Sequence, residues 1–148
     1  MLLAAAVLLV LGVCAGAWQP SDPKSYEYNI ELGFGGKYYL MWSFSKTKDG
    51  KDQVTFEVHV QATGWVGLGF SPSAVRMTAA DIVIMWVDAQ GKGHISDRHG
   101  PSVGNGYPPA DRQQNYQLLN SLSTNGHLYM QFSRLLDTCD PLDMPITV

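Results

Sequence analysis

From Tyr26 onward, apolar and polar residues alternate with a period of two rather than recurring at helical spacing. In Gln53–Gln61, Val54, Phe56, Val58 and Val60 alternate with Thr55, Glu57, His59 and Gln61, so four apolar side chains share one face. Gly36–Ser45 sets Tyr38, Leu40, Trp42 and Phe44 against Lys37, Tyr39, Met41 and Ser43. Lys48-Asp49-Gly50-Lys51 supplies turn chemistry between the two runs, which predicts a hairpin. Gly64–Phe70 is a glycine-spaced apolar run. Ala80–Val87 is nearly continuously apolar and β-branched, and reads as a strand buried on both faces. Asp88-Ala89-Gln90-Gly91 turns the chain and Lys92–Ser96 returns it. Asn115–Ser121 then pairs with His127–Phe132 across Ser123–Gly126, a connection with room for more than the Asn-Gly pair. Roughly seven or eight short strands and no helical pattern predict an all-β, antiparallel, immunoglobulin-like sandwich. Arg98–Arg112 (RHGPSVGNGYPPADR) is too long for a plain connector and is a candidate functional loop.

The chain has 148 residues, with 10 Lys+Arg against 13 Asp+Glu and a net charge of −3. That is a single-domain length, and without a basic cluster it excludes a nucleic-acid partner. Met1–Ala17 (MLLAAAVLLVLGVCAGA) has an uncharged apolar core followed by small residues, the anatomy of a secretory signal peptide. Its apolar run falls short of the roughly 20 residues that span a bilayer, and no later segment is a transmembrane candidate. The expected organisation is a leader over 1–17, a linker over 18–25 and a domain over 26–148, in a secreted or secretory-pathway protein. Cys14 would leave with the leader, so no internal disulfide is expected. Cys139 is left to pair with another chain, as in a Cys139-linked dimer, to pair with a segment outside this sequence, or to stay buried and free.

GWVGLGFS (Gly64–Ser71), ADIVIMWVD (Ala80–Asp88), QQNYQLL (Gln113–Leu119) and FSRLLDTCDPLD (Phe132–Asp143) resemble, in order and spacing, a DOMON domain. More narrowly, the chain resembles the N-terminal domain of the dopamine β-hydroxylase-like copper monooxygenases. The Asp-Arg-His-Gly and Gly-Tyr-Pro-Pro stretches are similar to the monooxygenase-X branch. The resemblance implies a secretory-pathway protein, associated with the endoplasmic reticulum or secretory granules. It also implies a polypeptide that continues into two copper-binding domains, which hydroxylate a catecholamine-like substrate with oxygen and ascorbate. Those domains are the expected partners and are absent here. So are further strands after Thr-Cys-Asp-Pro, so the domain is expected to be C-terminally truncated, with Cys139 tied in the family to a later part of the polypeptide.

The resemblance also places a cation site for Ca²⁺ or Na⁺ at Asp81, the Ile82 carbonyl, the Arg98 region and Asn115. The family pattern expects a small residue where Arg98 stands and a carboxylate where Asn115 stands. A structural Asp81–Arg98 ion pair or a hydrogen-bond role is therefore the expected substitute for the cation.

No catalytic residue and no cofactor ligand is assigned on this chain. His59, His94, His99 and His127 do not form the tight His-His or His-x-His spacing that copper requires. Haem, held by a Met and a His in other DOMON domains, finds no motif setting such a pair face to face; Met41, Met77, Met85 and Met130 read as core filling. Trp42, Trp65 and Trp86 likewise read as core rather than a sugar platform, and Gly64, Gly67 and Gly69 as close strand packing rather than a phosphate loop. Two functions follow: a non-catalytic DOMON module of a copper monooxygenase, or a secreted binding module for a cation, haem or sugar that uses the Arg98–Arg112 loop.

Overall fold

A computed structural model describes residues 17–33, 35–72, 76–104 and 106–148. Met1–Gly16, the bulk of the expected leader, lie outside the described residues. Eight strands follow a short 3₁₀ turn at Pro23–Ser25: β1 (Tyr28–Glu31), β2 (Tyr38–Lys46), β3 (Asp52–Val60), β4 (Trp65–Phe70), β5 (Asp81–Val87), β6 (Gly93–His99), β7 (Gln117–Thr124) and β8 (His127–Leu135). They form two antiparallel sheets, ordered β1-β2-β3-β8-β7 and β4-β5-β6. The all-β sandwich read from the alternation is the fold observed. No described helix is long and apolar enough to cross a membrane.

The predicted inward face of β3 packs as expected. Val54, Phe56, Val58 and Val60 are buried with Leu128, Met130 and Phe132 of β8 and with Val66, Leu68, Val83 and Met85 of the smaller sheet. The Phe56 ring lies 5.3 Å from Phe132 and 5.7 Å from Phe70, so an aromatic cluster spans the sheets. Each such side chain removed from water contributes about 1.5–3 kcal/mol. The β7–β8 connection is tighter than expected. Asn125 and Gly126, at φ of 50° and 74°, form a two-residue turn whose backbone twist matches the right-handed twist of the strands it joins.

The outer face of the larger sheet departs from the simple alternation. Glu57 is fully buried opposite Met41, because the segment expected as a linker folds back across it. Ser21 donates to Glu57 from its N–H at 2.8 Å and its hydroxyl at 2.7 Å, and the Tyr26 hydroxyl donates at 2.8 Å. His59 Nε2 lies 2.7 Å from the same carboxylate. Burial raises the Glu57 pKa, but these hydrogen bonds outweigh it and hold the carboxyl below its ordinary value.

Candidate functional site

Asp81 opens β5 at the edge of the core and is fully buried. Its expected partner Arg98 does not reach it. Arg98 stands two residues before Gly100, on the opposite face of β6 from Asp97, and its Nη1 donates instead to the Pro108 carbonyl at 2.9 Å while its guanidinium lies 5.0 Å from the Tyr107 ring. The cation on Asp81 is Arg134 of β8, which donates to it from Nη1. Tyr116 donates its hydroxyl to Asp81 at 2.8 Å and the Met144 N–H donates at 3.1 Å. Arg134 also donates to the carbonyls of Leu135 and Met144 at 3.0 and 2.9 Å. A closed polar network thus bolts the smaller sheet to the larger one. Burial raises the Tyr116 phenol well above its ordinary pKa, and the Asp81 charge adds to that.

Four further aspartates converge beside this bolt. Asp97 lies in the second half of β6, Asp111 in the loop after it, and Asp140 and Asp143 come from the C-terminal segment; all are at least nine-tenths buried. Oxygens of Asp81, Asp97 and Asp143 lie within 4.8 Å of one another, as do those of Asp111, Asp140 and Asp143. Oxygens around one Ca²⁺ stand at most about twice 2.4 Å apart, so both groups match the spread a single ion imposes.

Bonds within the protein account for part of this set. Asp97 accepts from the Asn115 N–H at 2.8 Å, Asp143 from the Thr138 hydroxyl at 2.6 Å, Asp140 from the Leu142 N–H at 3.0 Å, and Asp111 pairs with His99 Nδ1. Asp97 Oδ1, Asp111 Oδ2 and Asp143 Oδ1 are buried without a partner. The Asn115 amide faces Asp140 and Asp143 at 3.2 and 3.3 Å. Turned nitrogen-first it donates to both; turned oxygen-first it would need a cation between itself and the carboxylates. Burial, with the charges of Asp143, Asp81 and Asp111 around it, pushes Asp97 up to about 7 against the opposing Asn115 hydrogen bond. Burial also raises Asp143.

Of the residues expected at the cation site, Asp81 and Asn115 are brought to one cluster. The Ile82 side chain points to the other face of β5. Asp97, Asp111, Asp140, Asp143 and Arg134 were not expected there. The four histidines sit apart, each with its own oxygen partner: His59 on Glu57, His94 on Asp88, His99 on Asp111 and His127 on the Asn125 carbonyl. Cys139 is exposed, which removes the alternative of a buried thiol.

The model of the DOMON domain family matches residues 35–148. The chain belongs to the DOMON family. This DOMON domain is 38% identical over 84% of its length to MOXD1 homolog 1 of Drosophila melanogaster and 33% identical over 95% to DBH-like monooxygenase protein 1 of Homo sapiens. It is 30% identical over 95% of its length to dopamine beta-hydroxylase of Bos taurus. It covers only 18%, 22% and 22% of those three proteins, so it spans about a fifth of the relatives it matches. The DOMON domain is thus related to the N-terminal part of DBH-like monooxygenases.

Proposed function

We infer that this chain serves as the non-catalytic DOMON module of a DBH-like, copper-dependent monooxygenase, braced by a bound cation. In that reading the complete protein enters the secretory pathway and hydroxylates a catecholamine-like substrate with oxygen and ascorbate. The catalytic copper ions belong to domains outside this sequence. The observation that carries the reading is the cluster of buried aspartates with three unpartnered oxygens, in a domain related over nearly its whole length to monooxygenases. Asp143, shared by the two groups, would supply a carboxylate oxygen to the ion together with either Asp111 and Asp140 or Asp97 and Asp81, with Asn115 beside them and the expected Ile82 carbonyl at the margin. Hard oxygen donors of this kind suit Ca²⁺ rather than copper, which favours imidazole and thioether ligands. An ion there would tie the end of β6 to the C-terminal segment carrying Cys139, the cysteine expected to join the rest of the polypeptide.

Calorimetric titration of the chain with Ca²⁺ tests the brace. Saturable binding near one equivalent, lost in Asp143→Asn, is the expected result; no binding to the folded chain would overturn it. Supplied with copper, ascorbate and a phenethylamine, the chain is expected to leave the amine unhydroxylated. Sustained ascorbate-dependent hydroxylation would overturn the non-catalytic reading.

A further inference from the structure

The outer face of the smaller sheet is concave and apolar, although it points away from the core. Strand register arranges it in three rows. Trp65, Trp86 and His94 lie across one end, Gly67, Ile84 and Ser96 across the middle, and Gly69, Ile82 and Arg98 across the other end. Together with the loops after β4 and β6, these strands line a cavity of about 1080 Å³. This corrects two expectations from the sequence. β5 is not covered on its outer side, and Trp65 is 67% exposed rather than core.

The glycines explain why the trough is open. A Cβ on Gly67 or Gly69 would meet its nearest neighbours at 3.6 Å, ordinary contact, and one on Gly64 would meet nothing within 4 Å. Strand packing therefore does not require them. Their effect is to keep the β4 strip of the floor free of side chains beside Ile84 and Ile82.

The far end is cationic. Arg98 lies there in the third row, and Arg76 comes from the loop that follows Gly69 and Phe70. Among the described residues no carboxylate lines the trough and neither arginine forms an ion pair. Arg98 Nε is buried without a hydrogen-bond partner. Tyr107 and Pro108 of the long loop close this end over it. In a chain of net charge −3, an unopposed pair of guanidiniums beside an aromatic trough is a specific feature.

We propose that this trough binds a small amphiphilic anion, its apolar body laid over Ile82 and Ile84 against Trp65 and Trp86 and its carboxylate or similar head held by Arg98 and Arg76. The three rows span roughly 13 Å along the strands, which sets the length of the molecule at about that of a ten-carbon acid. An apolar lining with a few placed polar groups is the usual make-up of small-ligand sites. The proposal does not rest on the monooxygenase reading, because the trough and the acidic cluster use opposite faces of β5 and β6.

Titration of the full chain with decanoate and with 1-naphthylacetate, read by tryptophan emission and calorimetry, tests it and separates acyl from aromatic bodies. Saturable binding of at least one of them is expected, with decanol weaker by about tenfold or more for want of the charge-assisted hydrogen bond. Arg98→Met is expected to weaken binding by a similar factor, and Gly67→Leu to abolish it with an unchanged melt. If Arg98→Met does not fold, the exposed Arg76→Met serves the same comparison. Decanol binding as tightly as decanoate, unaltered binding by Gly67→Leu, or no saturable binding of either anion would overturn the proposal. So would a concentration-dependent dimer that Gly67→Leu disrupts while decanoate has no effect on it, since the occupant would then be a second copy.

Discussion

Asp97 has a buried oxygen without a partner and a carboxyl raised to about 7. The folded, cation-free chain therefore holds a proton that the unfolded chain has released above its ordinary value of 3.8. Stability from this group is full below that value and is lost as pH rises through about 7; Asp143 acts in the same direction and Glu57 in the opposite one. In chelator, Asp97→Asn is expected to flatten the fall in melting temperature between pH 5 and 7.5 and to raise the melting temperature at pH 7.5. Thermal melts at the two pH values check this, and an unchanged slope would show that Asp97 is ionised in the fold. The Asp81–Arg134 bolt predicts a different result. Asp81→Ala leaves a buried guanidinium uncompensated and is expected to cost about 3–5 kcal/mol, whereas replacing Asp81 and Arg134 together by Leu should recover most of it. Denaturant unfolding of the two variants measures the difference. Arg134 was legible in the sequence: the alternation through Leu128, Met130 and Phe132, carried one step further, points it inward. The pairing of Asp81 with Arg134 rather than Arg98 was not, because alternation along one strand says nothing of which strand of the facing sheet lies opposite.

At the scale of elements, the strands that pack one face on the core follow directly from period-two patterning. Those that depart from it do so for local reasons. Glu57 stands among the polar positions of β3, yet an N-terminal segment with no strand pattern of its own covers it. Glu57→Ala is expected to release that segment, so trypsin should cut after the exposed Lys24 several-fold faster, with the core strands still protected; an unchanged cleavage rate would place the anchor elsewhere. The end of β6 carries a tighter constraint. A Cβ on Gly100 would lie 1.5 Å from the Met77 carbonyl oxygen, a backbone atom with no freedom to withdraw. Gly100→Ala is expected to cost about 3 kcal/mol, the upper end of overpacking penalties. Gly64→Ala, with nothing within 4 Å, should stay within about 0.5 kcal/mol, and chemical denaturation of the pair tests the contrast. Gly100 does not stand out in the sequence, since what distinguishes it is a neighbour brought in from another loop, while Gly64, read from the sequence as close strand packing, has no such neighbour.

For the whole molecule, the decisive point is how the two sheets are held together along their length. One cluster of apolar side chains fills the space between them, and at one end the Asp81–Arg134–Tyr116 network replaces it. Beyond the network, β6 is joined to the long loop by the Asp111 N–H donating to the Asp97 carbonyl at 3.0 Å and by the Gln114 side chain on Asp97, whereas the C-terminal segment brings Asp140 and Asp143 against Asp97 and Asp111, carboxylates whose charges repel one another. The C-terminal segment is otherwise fastened by the Ile146 N–H donating to the Leu136 carbonyl at 2.8 Å and by the Met144 backbone on Asp81 and Arg134. A cation would turn the weakest part of this seam into a cross-link between segments distant in sequence. Binding to the folded state alone stabilises by an amount that grows with the logarithm of ligand concentration, about 2.7 kcal/mol at a hundred times the dissociation constant. For a domain of this size that corresponds to a rise of about 10 °C in melting temperature. The near-UV circular dichroism melt of the chain from Trp18 to Val148 at pH 7.5 is therefore expected to show one cooperative transition in chelator, moved upward by Ca²⁺ and by less at pH 5, where Asp97 is protonated. A single transition insensitive to Ca²⁺ at both pH values would leave the sandwich intact and remove the brace. A broad transition that Ca²⁺ does not sharpen would mean that packing between the two sheets depends on parts of the polypeptide beyond this domain.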